Sequence, residues 1–342
     1  MTNGWPHRDN ETYCVFIKRQ MESLIERGLR CDVVFVRGDR SQLTYPLAAL
    51  RVAFWSLASR RRYKLVHAHS GEAAPVAACY RRAPLLVSYL GGDLLGAPRL
   101  DGSTPPIWRI RRAIVRQLSR LAARTITKSK EMEAVLPRRV RARNTVLPNG
   151  VDTDLFRPIE RGAARQELGW DVDGRVVLFA GDPNLARKRY FLAEAAVERA
   201  RSQLPNLQLR VAHRIAPDHI PLLMNAADCL LLTSSIEGSP NVVKEALMCN
   251  LPIVASPSGD VAELLSGVVP SFVCEASETA LSEALVECLR EPHRSNGREI
   301  SARLDARVVA DSLLGIYKEL APGLDLEAQP EAREAAPESS AA

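Results

Sequence analysis

Short apolar runs alternate with amphipathic segments along most of the chain. Such runs, separated by helical periodicity, are typical of parallel strands that are buried on both faces and joined by right-handed crossovers. The predicted strands are residues 32–36, 65–69, 84–89, 125–129, 145–148, 176–181, 207–212, 229–234 and 251–256. The predicted helices include residues 14–29, 107–123, 187–204 and 240–249. The pattern therefore predicts an α/β protein with one parallel sheet in each half.

The chain of 342 residues is longer than the ~250–300 residues at which one core usually stops growing, which favours two domains. The first predicted domain is residues 1–148 and the second is residues 149–320, with residues 149–175 as the connection. We expect the last helix, at about residues 301–320, to pack back on the first domain. Residues 321–342 are acidic, rich in Ala, Pro and Glu and aperiodic, so we predict a disordered tail.

Charge and composition narrow the class of protein. With 46% hydrophobic and 25% charged residues, the chain is neither a disordered nor a collagen-like protein. Residues 1–150 carry a net charge of +16, whereas the remainder carries −10. The seven cysteines show no metal-binding or redox spacing, which favours free thiols in a reducing compartment. We therefore expect a cytoplasmic protein.

The apolar stretch at residues 43–59 falls short of the ~20 residues that a membrane span needs, and residues 1–20 hold no signal-peptide core. Within residues 107–123, arginines recur at three- and four-residue steps among apolar side chains, which predicts a cationic amphipathic helix. These arginines are Arg109, Arg112, Arg116 and Arg120. The helix suits an anionic membrane surface, such as the inner face of the plasma membrane, or an acidic acceptor; the alternative is a solvated face. No nucleic-acid recognition module is visible, so we expect no nucleic-acid partner.

Residues 229–256 read as strand, loop, helix, turn and strand. Ser239 suits the N-cap, Pro240 the first helical position and Asn250 the left-handed residue that ends the helix. The helix starts at the carboxyl end of a parallel strand, where ligands bind in open α/β sheets, and its free N–H groups favour a phosphate. Glu237 before the helix and Glu245 inside it can face one ligand; the alternative is a capping loop and a solvated glutamate.

This segment resembles the nucleotide-sugar site of the retaining glycosyltransferases of family 4, which have the GT-B fold. The resemblance is carried by Glu237-Gly238, Glu245-Ala246, Asn250-Leu251-Pro252, LPNGVDTDLFRP (147–158), VHAHSGE (66–72), VSYLGGDLLG (87–96) and MNAADCLLLTSS (224–235). It covers nearly the whole ordered chain and implies two Rossmann-like domains whose parallel sheets face across a cleft. Within the family, GSPNVVKEA (238–246) most resembles the capsule and teichuronic-acid type of sugar transferase.

The resemblance implies roles on the donor side. Glu245 would hold the ribose hydroxyls and Glu237 those of the transferred sugar. In the family, an arginine follows the glycine of the first strand of the second domain, and a lysine follows some six residues later; here Asp182 follows Gly181. The predicted catalytic residues are Glu237, Lys188 and Arg187, and the predicted donor-binding residues are Gly181, Lys188, Arg189, Gly238, Ser239, Asn241, Val242 and Glu245. The alternative for residues 187–189 is a solvated helix start.

The acceptor side is implied by the two loops of the first domain. Gly91 and Gly92 permit a tight turn and a close ligand approach. Asp93 would bind an acceptor hydroxyl or cap the next segment, and His69 would contact the acceptor or pack at its strand end. Leu90 stands where many relatives have a histidine. His67, two residues before His69, is interpreted as structural.

Asp152-Thr153-Asp154 spells a metal-binding DxD motif, but it lies in the interdomain segment, and no His/Cys cluster has ligand spacing. We therefore predict no essential metal and no cofactor beyond the substrate. The predicted function is transfer of a hexosyl or N-acetylhexosaminyl group from a UDP- or GDP-sugar to a glycan or lipid-linked acceptor, in surface polysaccharide or glycoconjugate synthesis. Asp182 and Leu90 keep a binding pseudoenzyme as the alternative; a phosphorylase or epimerase would need a catalytic set that is not recognisable.

Relatives open with an apolar strand before a turn similar to residues 2–6. Here Met1 directly precedes that turn, so five or six strand residues of the first domain are expected to be missing. In the family this strand is central and paired on both sides. We expect translation to begin upstream of this Met.

Overall fold

Two parallel sheets form the framework of the protein. The structure is a computed structural model that describes residues 1–7, 13–38, 40–58, 62–96, 103, 105–291 and 293–326. One sheet has the strand order β1-β2-β3-β4 and the other β6-β5-β7-β8-β9, so the predicted α/β fold is confirmed. The strands are β1 (Val66–His69), β2 (Leu85–Ser88), β3 (Arg124–Thr127), β4 (Asn144–Val146), β5 (Arg175–Ala180), β6 (Leu207–Ala212), β7 (Cys229–Leu232), β8 (Ile253–Ala255) and β9 (Phe272–Val273).

Helices cover both faces of each sheet. With the first sheet are α1 (Val15–Ile25), α2 (Thr44–Ala58), α3 (Ala74–Ala78), α4 (Gly92–Leu95), α5 (Pro106–Leu118), α6 (Lys130–Ala134) and α7 (Arg138–Arg141). After it come α8 (Arg161–Leu168), α9 (Tyr190–Ala200), α10 (Ile220–Ala226), α11 (Asn241–Met248), α12 (Val261–Leu264), α13 (Glu278–Arg290), α14 (Gly297–Ile300) and α15 (Ala306–Leu320). Successive residues of β5, Val177 and Leu178, are buried in different clusters, one on each face. This two-sided burial explains the continuous apolar runs in the sequence.

The strand predicted at residues 32–36 is reduced to one bridge, between Phe35 and Thr2. The Thr2 N–H donates to the Val34 carbonyl at 3.0 Å, and the Val36 N–H donates to the Thr2 carbonyl at 2.8 Å. Beside this bridge, a cavity of about 810 Å³ separates residues 31–34 from residues 64–67. The segment is extended without being a strand because only Thr2 pairs with it.

The last helix, α15, lies against the N-terminal domain. The Tyr317 hydroxyl is 2.6 Å from His67 Nδ1, and Arg27 Nε donates to Asp311 at 2.5 Å. Leu313 is buried with Leu86 of β2 in one cluster. The chain therefore crosses back from the second sheet to the first before it ends. After α15, residues 321–326 stay close to this cluster, and residues 327–342 of the predicted tail lie outside the described residues.

Candidate functional site

The segment from β7 to β8 has the predicted order of strand, loop, helix, turn and strand. Asn250 has a φ of 54°, as expected of the residue that ends α11. The predicted N-cap is wrong by one residue, since α11 begins at Asn241 with Pro240 in the cap position and no capping side chain. The Ser239 hydroxyl is buried beside the Asp260 carboxyl, where burial raises the pKa of Asp260 to about 6 and hydrogen bonding from Ser239 opposes that rise. This pair lies at the helix start, within reach of a ligand there.

Glu237 lies just before α11 and is held by two cations. Its Oε1 accepts from Lys188 Nζ at 2.6 Å and from Arg187 Nη1 at 3.0 Å. Burial opposes ionisation of Glu237, but the charges of Lys188 and Arg187 outweigh it, so the pKa of this carboxyl lies below its usual range. Gly181 lies beside the Lys188 side chain, whose Cε would be in ordinary van der Waals contact with an added Cβ at 3.4 Å, and its φ of 155° is a conformation that favours glycine. The three predicted catalytic residues are thus brought together.

Glu245 lies one and a half turns further along α11, beside a small cavity of about 50 Å³. Arg19 of α1, Asn149 of the interdomain segment and Asn241 also line this cavity. Burial raises the pKa of Glu245, and the charges of Arg19 and Lys244 oppose that rise. A carboxylate with this environment is poised to accept hydrogen bonds from ligand hydroxyls.

Two predicted donor-binding side chains point elsewhere. The Arg189 guanidinium donates to the carbonyls of Thr233 and Ser234, at 2.6 and 3.1 Å, so it supports the loop after β7, and its predicted contact with the donor phosphate stays a prediction. The Val242 side chain packs against the core of the C-terminal domain, which leaves only its backbone for a ligand. Asp182, at the family's usual arginine position, accepts from the Asn184 N–H at 3.0 Å and brings no positive charge.

The two domains touch at this site. A Cβ added to Gly238 would lie 2.9 Å from Met132 Sδ and 3.1 Å from Gly91 Cα, so the donor-side loop and the acceptor-side loop are in direct contact. Glu131 Oε2 accepts from the Gly259 N–H at 3.1 Å across the same boundary. The nucleotide-side and acceptor-side residues therefore form one cleft.

Asp93 organises the acceptor-side loop. Its carboxylate accepts backbone N–H groups from Gly71 at 2.7 Å, Gly91 at 3.0 Å and Leu94 at 3.1 Å. Burial raises the pKa of Asp93, while these N–H groups favour its charged form. Asp93 thus holds the loop together through backbone N–H groups, and its predicted binding of an acceptor hydroxyl stays a prediction. Gly92 borders open space, since no atom lies within 4 Å of an added Cβ.

His69 stacks on His67, with ring centroids 4.0 Å apart. His67 is hydrogen-bonded at both ring nitrogens, by the Tyr317 hydroxyl at 2.6 Å and the Ser88 hydroxyl at 2.7 Å, as its structural interpretation predicts. Burial lowers the pKa of both histidines well below the usual value, so both rings are neutral at pH 7. His69 lines the 810 Å³ cavity beside Thr2, and its predicted acceptor contact stays a prediction.

Two buried lysines were not predicted from the sequence. Lys128, directly after β3, is 2% exposed, and burial together with the nearby Lys244 charge lowers its pKa to about 7, while Asp93 opposes the change. Lys244 is fully buried, donates to the Asn149 carbonyl at 3.0 Å and has its pKa lowered by burial to about 8. The available signal for Lys128 was its position at the carboxyl end of a parallel strand.

The first aspartate of the DxD sequence forms hydrogen bonds with the backbone of its own segment. Asp152 Oδ1 accepts from the N–H groups of Asp154 and Leu155, both at 3.0 Å, as in a local turn. In the described ranges, no three His, Cys, Asp or Glu side chains are grouped so that they would hold a metal ion. Independence from metal stays a prediction.

Helix α5 differs from the predicted basic face. Arg112 Nη1 donates to the Leu95 carbonyl at 2.8 Å and Arg116 Nη2 to the Leu94 carbonyl at 3.3 Å, so these two arginines tie α5 to α4 instead of facing outward. Arg109 remains exposed on the outer side. Among the described helices, none has both the length and the apolar character needed to cross a membrane.

Family models match both domains of the chain. The model described as "Glycosyltransferase Family 4" matches residues 2–155, and "Glycosyl transferases group 1" matches residues 172–291. A D-inositol 3-phosphate glycosyltransferase 1 of Catenulispora acidiphila is 27% identical over 315 residues, which covers 76% of this chain and 73% of that protein. The corresponding enzyme of Saccharomonospora viridis is 27% identical and covers 75% and 70%. These relatives are not of the capsule or teichuronic-acid type, so that finer resemblance has no support here.

Solved structures show the same fold at low identity. A sucrose-phosphate synthase from Thermosynechococcus elongatus superposes with a TM-score of 0.66 at 20% identity, over 81% of this chain and 78% of that one. Anabaena HepE in complex with UDP and glucose superposes with a TM-score of 0.63 at 20% identity, over 80% and 82%. Three findings therefore point to the same class of enzyme: the family models that match both domains, the curated relatives and the two parallel sheets. The chain is a glycosyltransferase with the GT-B fold, whose first domain matches the family 4 model and whose second domain matches the group 1 model.

Proposed function

We propose that this glycosyltransferase moves a hexosyl or N-acetylhexosaminyl group, with retention, from a UDP- or GDP-sugar to a glycan or lipid-linked acceptor. The proposed setting is surface polysaccharide or glycoconjugate synthesis in the cytoplasm, at the inner face of the plasma membrane. One observation carries the proposal: Lys188 and Arg187 converge on Glu237 at the start of α11, directly beside Gly91 of the other domain. The two cations, the carboxylate proposed to bind the sugar and the acceptor loop therefore lie next to one another in the cleft.

On the donor side, the diphosphate would lie at the N-terminus of α11. The helix end alone contributes ~0.3–2 kcal/mol to anion binding, and each charged hydrogen bond about 1.5–3 kcal/mol. A bound diphosphate would compete with Glu237 for Lys188 and Arg187, which would free this carboxylate for the sugar hydroxyls. Glu245, which lines the small cavity beside α11, would accept hydrogen bonds from the ribose hydroxyls.

In the proposed transfer, the acceptor oxygen bonds to the anomeric carbon as the bond from that carbon to the leaving phosphate breaks. The acceptor proton passes to the oxygen of the leaving phosphate, so no carboxylate nucleophile and no metal take part. Lys188 and Arg187 stabilise the charge that grows on the diphosphate. The acceptor loop next to Gly238 supplies orientation.

The acceptor class is proposed from the N-terminal side of the cleft. Lys128 provides a buried amine there whose pKa of about 7 an anionic group would raise, and this suits an acceptor that carries a phosphate or another anion. The curated relatives are named for an acceptor of this kind, D-inositol 3-phosphate. A phosphate-bearing glycan or lipid-linked acceptor is compatible with both observations.

The test is a titration with nucleoside diphosphates and their sugars, followed by turnover with acceptors that carry or lack a phosphate. Glu245→Gln should weaken nucleotide binding, whereas Glu237→Gln should mainly lower kcat with the sugar donor. Glu198→Gln on the surface of α9 is the matched control and should change neither. D-inositol 3-phosphate and unphosphorylated inositol form one acceptor pair. Unchanged kinetics in both site variants, or nucleotide binding without turnover of any donor, would overturn the proposal.

A further inference from the structure

Two helices of the N-terminal domain expose apolar side chains on their outer faces. On α2 and the residue before it, the spacing of the exposed side chains is four, three, four and three, which places them on one face of the helix. They are Leu43, Leu47, Leu50, Phe54 and Leu57, which are 65–78% exposed. On α5 they are Ile107, Ile110 and Ile114, which are 52–60% exposed. We refer to these eight residues as the outer apolar face.

This concentration is unusual for the molecule. Within the described residues, twelve large apolar side chains are more than half exposed, and nine of them lie on α2, on α5 or within three residues of their ends. Scattered single apolar residues are normal on a protein surface, but five on one face of α2 and the residue before it, with three more on α5, are the kind of concentration that marks an interaction site. The outer apolar face therefore needs a partner.

Both helices lie on the same side of the first sheet and next to the acceptor loop. Val52 of α2 and Val115 of α5 are buried in one cluster under that side. Glu72 connects the helices, since its carboxylate accepts from the Tyr45 hydroxyl at 3.4 Å and from Arg111 Nη2 at 2.5 Å. The preceding residue, Gly71, donates to Asp93, which holds the acceptor loop.

The two sequence segments that carry this face have charges of one sign. Residues 43–62 contain four arginines and residues 103–120 contain five, and neither segment contains Asp or Glu. Arg51 lies over the Trp55 ring at 4.5 Å, and Arg111 lies over the Trp108 ring at 4.6 Å. Apolar side chains flanked by tryptophan and arginine are typical of a surface that enters the boundary between lipid head groups and acyl chains.

We propose that the outer apolar face docks on an anionic lipid bilayer and thereby holds the acceptor loop at the membrane. A second copy of the chain is less compatible with the face, because self-association would bring arginine-rich segments together while the nearby Glu72 carboxylate is already paired with Arg111. The inference rests on the proposed function only in so far as the acceptor is lipid-linked. Docking itself is independent of turnover.

The experiment is co-flotation with vesicles of phosphatidylcholine alone and of phosphatidylcholine mixed with phosphatidylglycerol. The full chain should float with the anionic vesicles, and less so at high salt. The double variant Leu47→Glu/Phe54→Glu should lower the partition coefficient by about tenfold or more, because apolar burial drives insertion. Phe191→Glu is the matched control, since Phe191 is 56% exposed on α9 of the other domain and should not affect flotation.

Folding and nucleotide affinity are measured in parallel. Near-UV circular dichroism and UDP titration should be unchanged in all these variants, so a failure of docking is distinguishable from a failure of the donor site. The proposal is overturned if the wild-type chain ignores anionic vesicles at low salt, or if Phe191→Glu weakens flotation as much as the double variant. It is also overturned if light scattering shows a dimer that Leu47→Glu/Phe54→Glu dissociates, because the face would then be a protein interface.

Discussion

The contact between Lys188 and Glu237 can be tested by removing each partner and then both. Both side chains are 12% exposed, and Lys188 Nζ is 2.6 Å from the carboxylate. Lys188→Met leaves Glu237 with Arg187 alone, which is 33% exposed. A hydrogen bond to a charged group contributes about 1.5–3 kcal/mol, and removing one partner of a buried pair costs about 3–5 kcal/mol. Since Arg187 remains, we expect a loss of about 2 kcal/mol.

Thermal melts and nucleotide titrations separate stability from function. A loss of about 2 kcal/mol should lower Tm by roughly 4–8 °C in a domain of this size. Adding Glu237→Gln to Lys188→Met should recover about half of that loss, because no buried carboxylate is then left short of partners. Nucleotide affinity should fall about tenfold or more in Lys188→Met and should not recover in the double variant, because the diphosphate loses a cation.

The dependence of this effect on pH has a definite sign. The pKa of Glu237 lies below its usual range in the folded state, so the pair stabilises the protein fully above the usual carboxyl pKa of about 4.3. That stabilisation is lost as pH falls through the lower folded-state pKa. Glu237→Gln should remove this part of the acid-side decline in Tm.

The exposed pair Lys18–Glu22, at 3.7 Å, provides matched Lys→Met and Glu→Gln controls. Its coupling energy should be below about 0.5 kcal/mol. Equal coupling energies at the two pairs, or nucleotide affinity restored in the double variant at Lys188 and Glu237, would refute the reasoning.

Three further predictions concern the cleft. Gly238→Ala should separate the domains and lower kcat by about tenfold, because the added Cβ would lie 2.9 Å from Met132 Sδ and 3.1 Å from Gly91 Cα; Gly315→Ala on α15, where an added Cβ meets no atom within 4 Å, should change neither kcat nor the radius of gyration in solution scattering. Asp93→Ala should lower Tm by leaving several loop N–H groups without an acceptor, at about 1–3 kcal/mol each where buried, and Asp93→Asn should recover part of the loss. Activity should persist in excess EDTA, and a loss that Mg²⁺ or Mn²⁺ restores would contradict the metal-free mechanism.

The sheets could be predicted because their strands are buried on both faces, which leaves uninterrupted apolar runs in the sequence. Helix α2 was missed for a related reason. Its outward residues, such as Leu47 and Leu50, are as apolar as the inward Val52, so polarity does not alternate with the helical period. The apolar outward residues of α2 therefore obscure its helical periodicity in the sequence, and in the structure they form the proposed interaction surface. The two-residue strand β9 is too short to give any periodic signal.

The neighbourhood of the site could also be predicted, since Glu237 and Lys188 follow strands of a parallel sheet, whereas Lys128 follows one and was still missed. The role of each side chain in the site could not be predicted, because this role depends on contacts with distant parts of the chain. Arg189 adopts a left-handed conformation, with a φ of 48°, from which its guanidinium reaches the carbonyls after β7. Asp93 is likewise taken up by the N–H groups of its own loop and of Gly71.

Residue type alone does not locate the ligands, because the fold uses several charged side chains for its own contacts. Arg189 and Asp93 have charges that suit a substrate, yet backbone groups of nearby loops already hold them. Lys188 and Arg187 are instead held by another side chain, the Glu237 carboxylate, so a diphosphate can compete for them without breaking a contact to the backbone. The donor position inferred for the cleft therefore rests on this exchangeable cluster of charges, and it is wrong if Lys188→Met leaves nucleotide affinity unchanged.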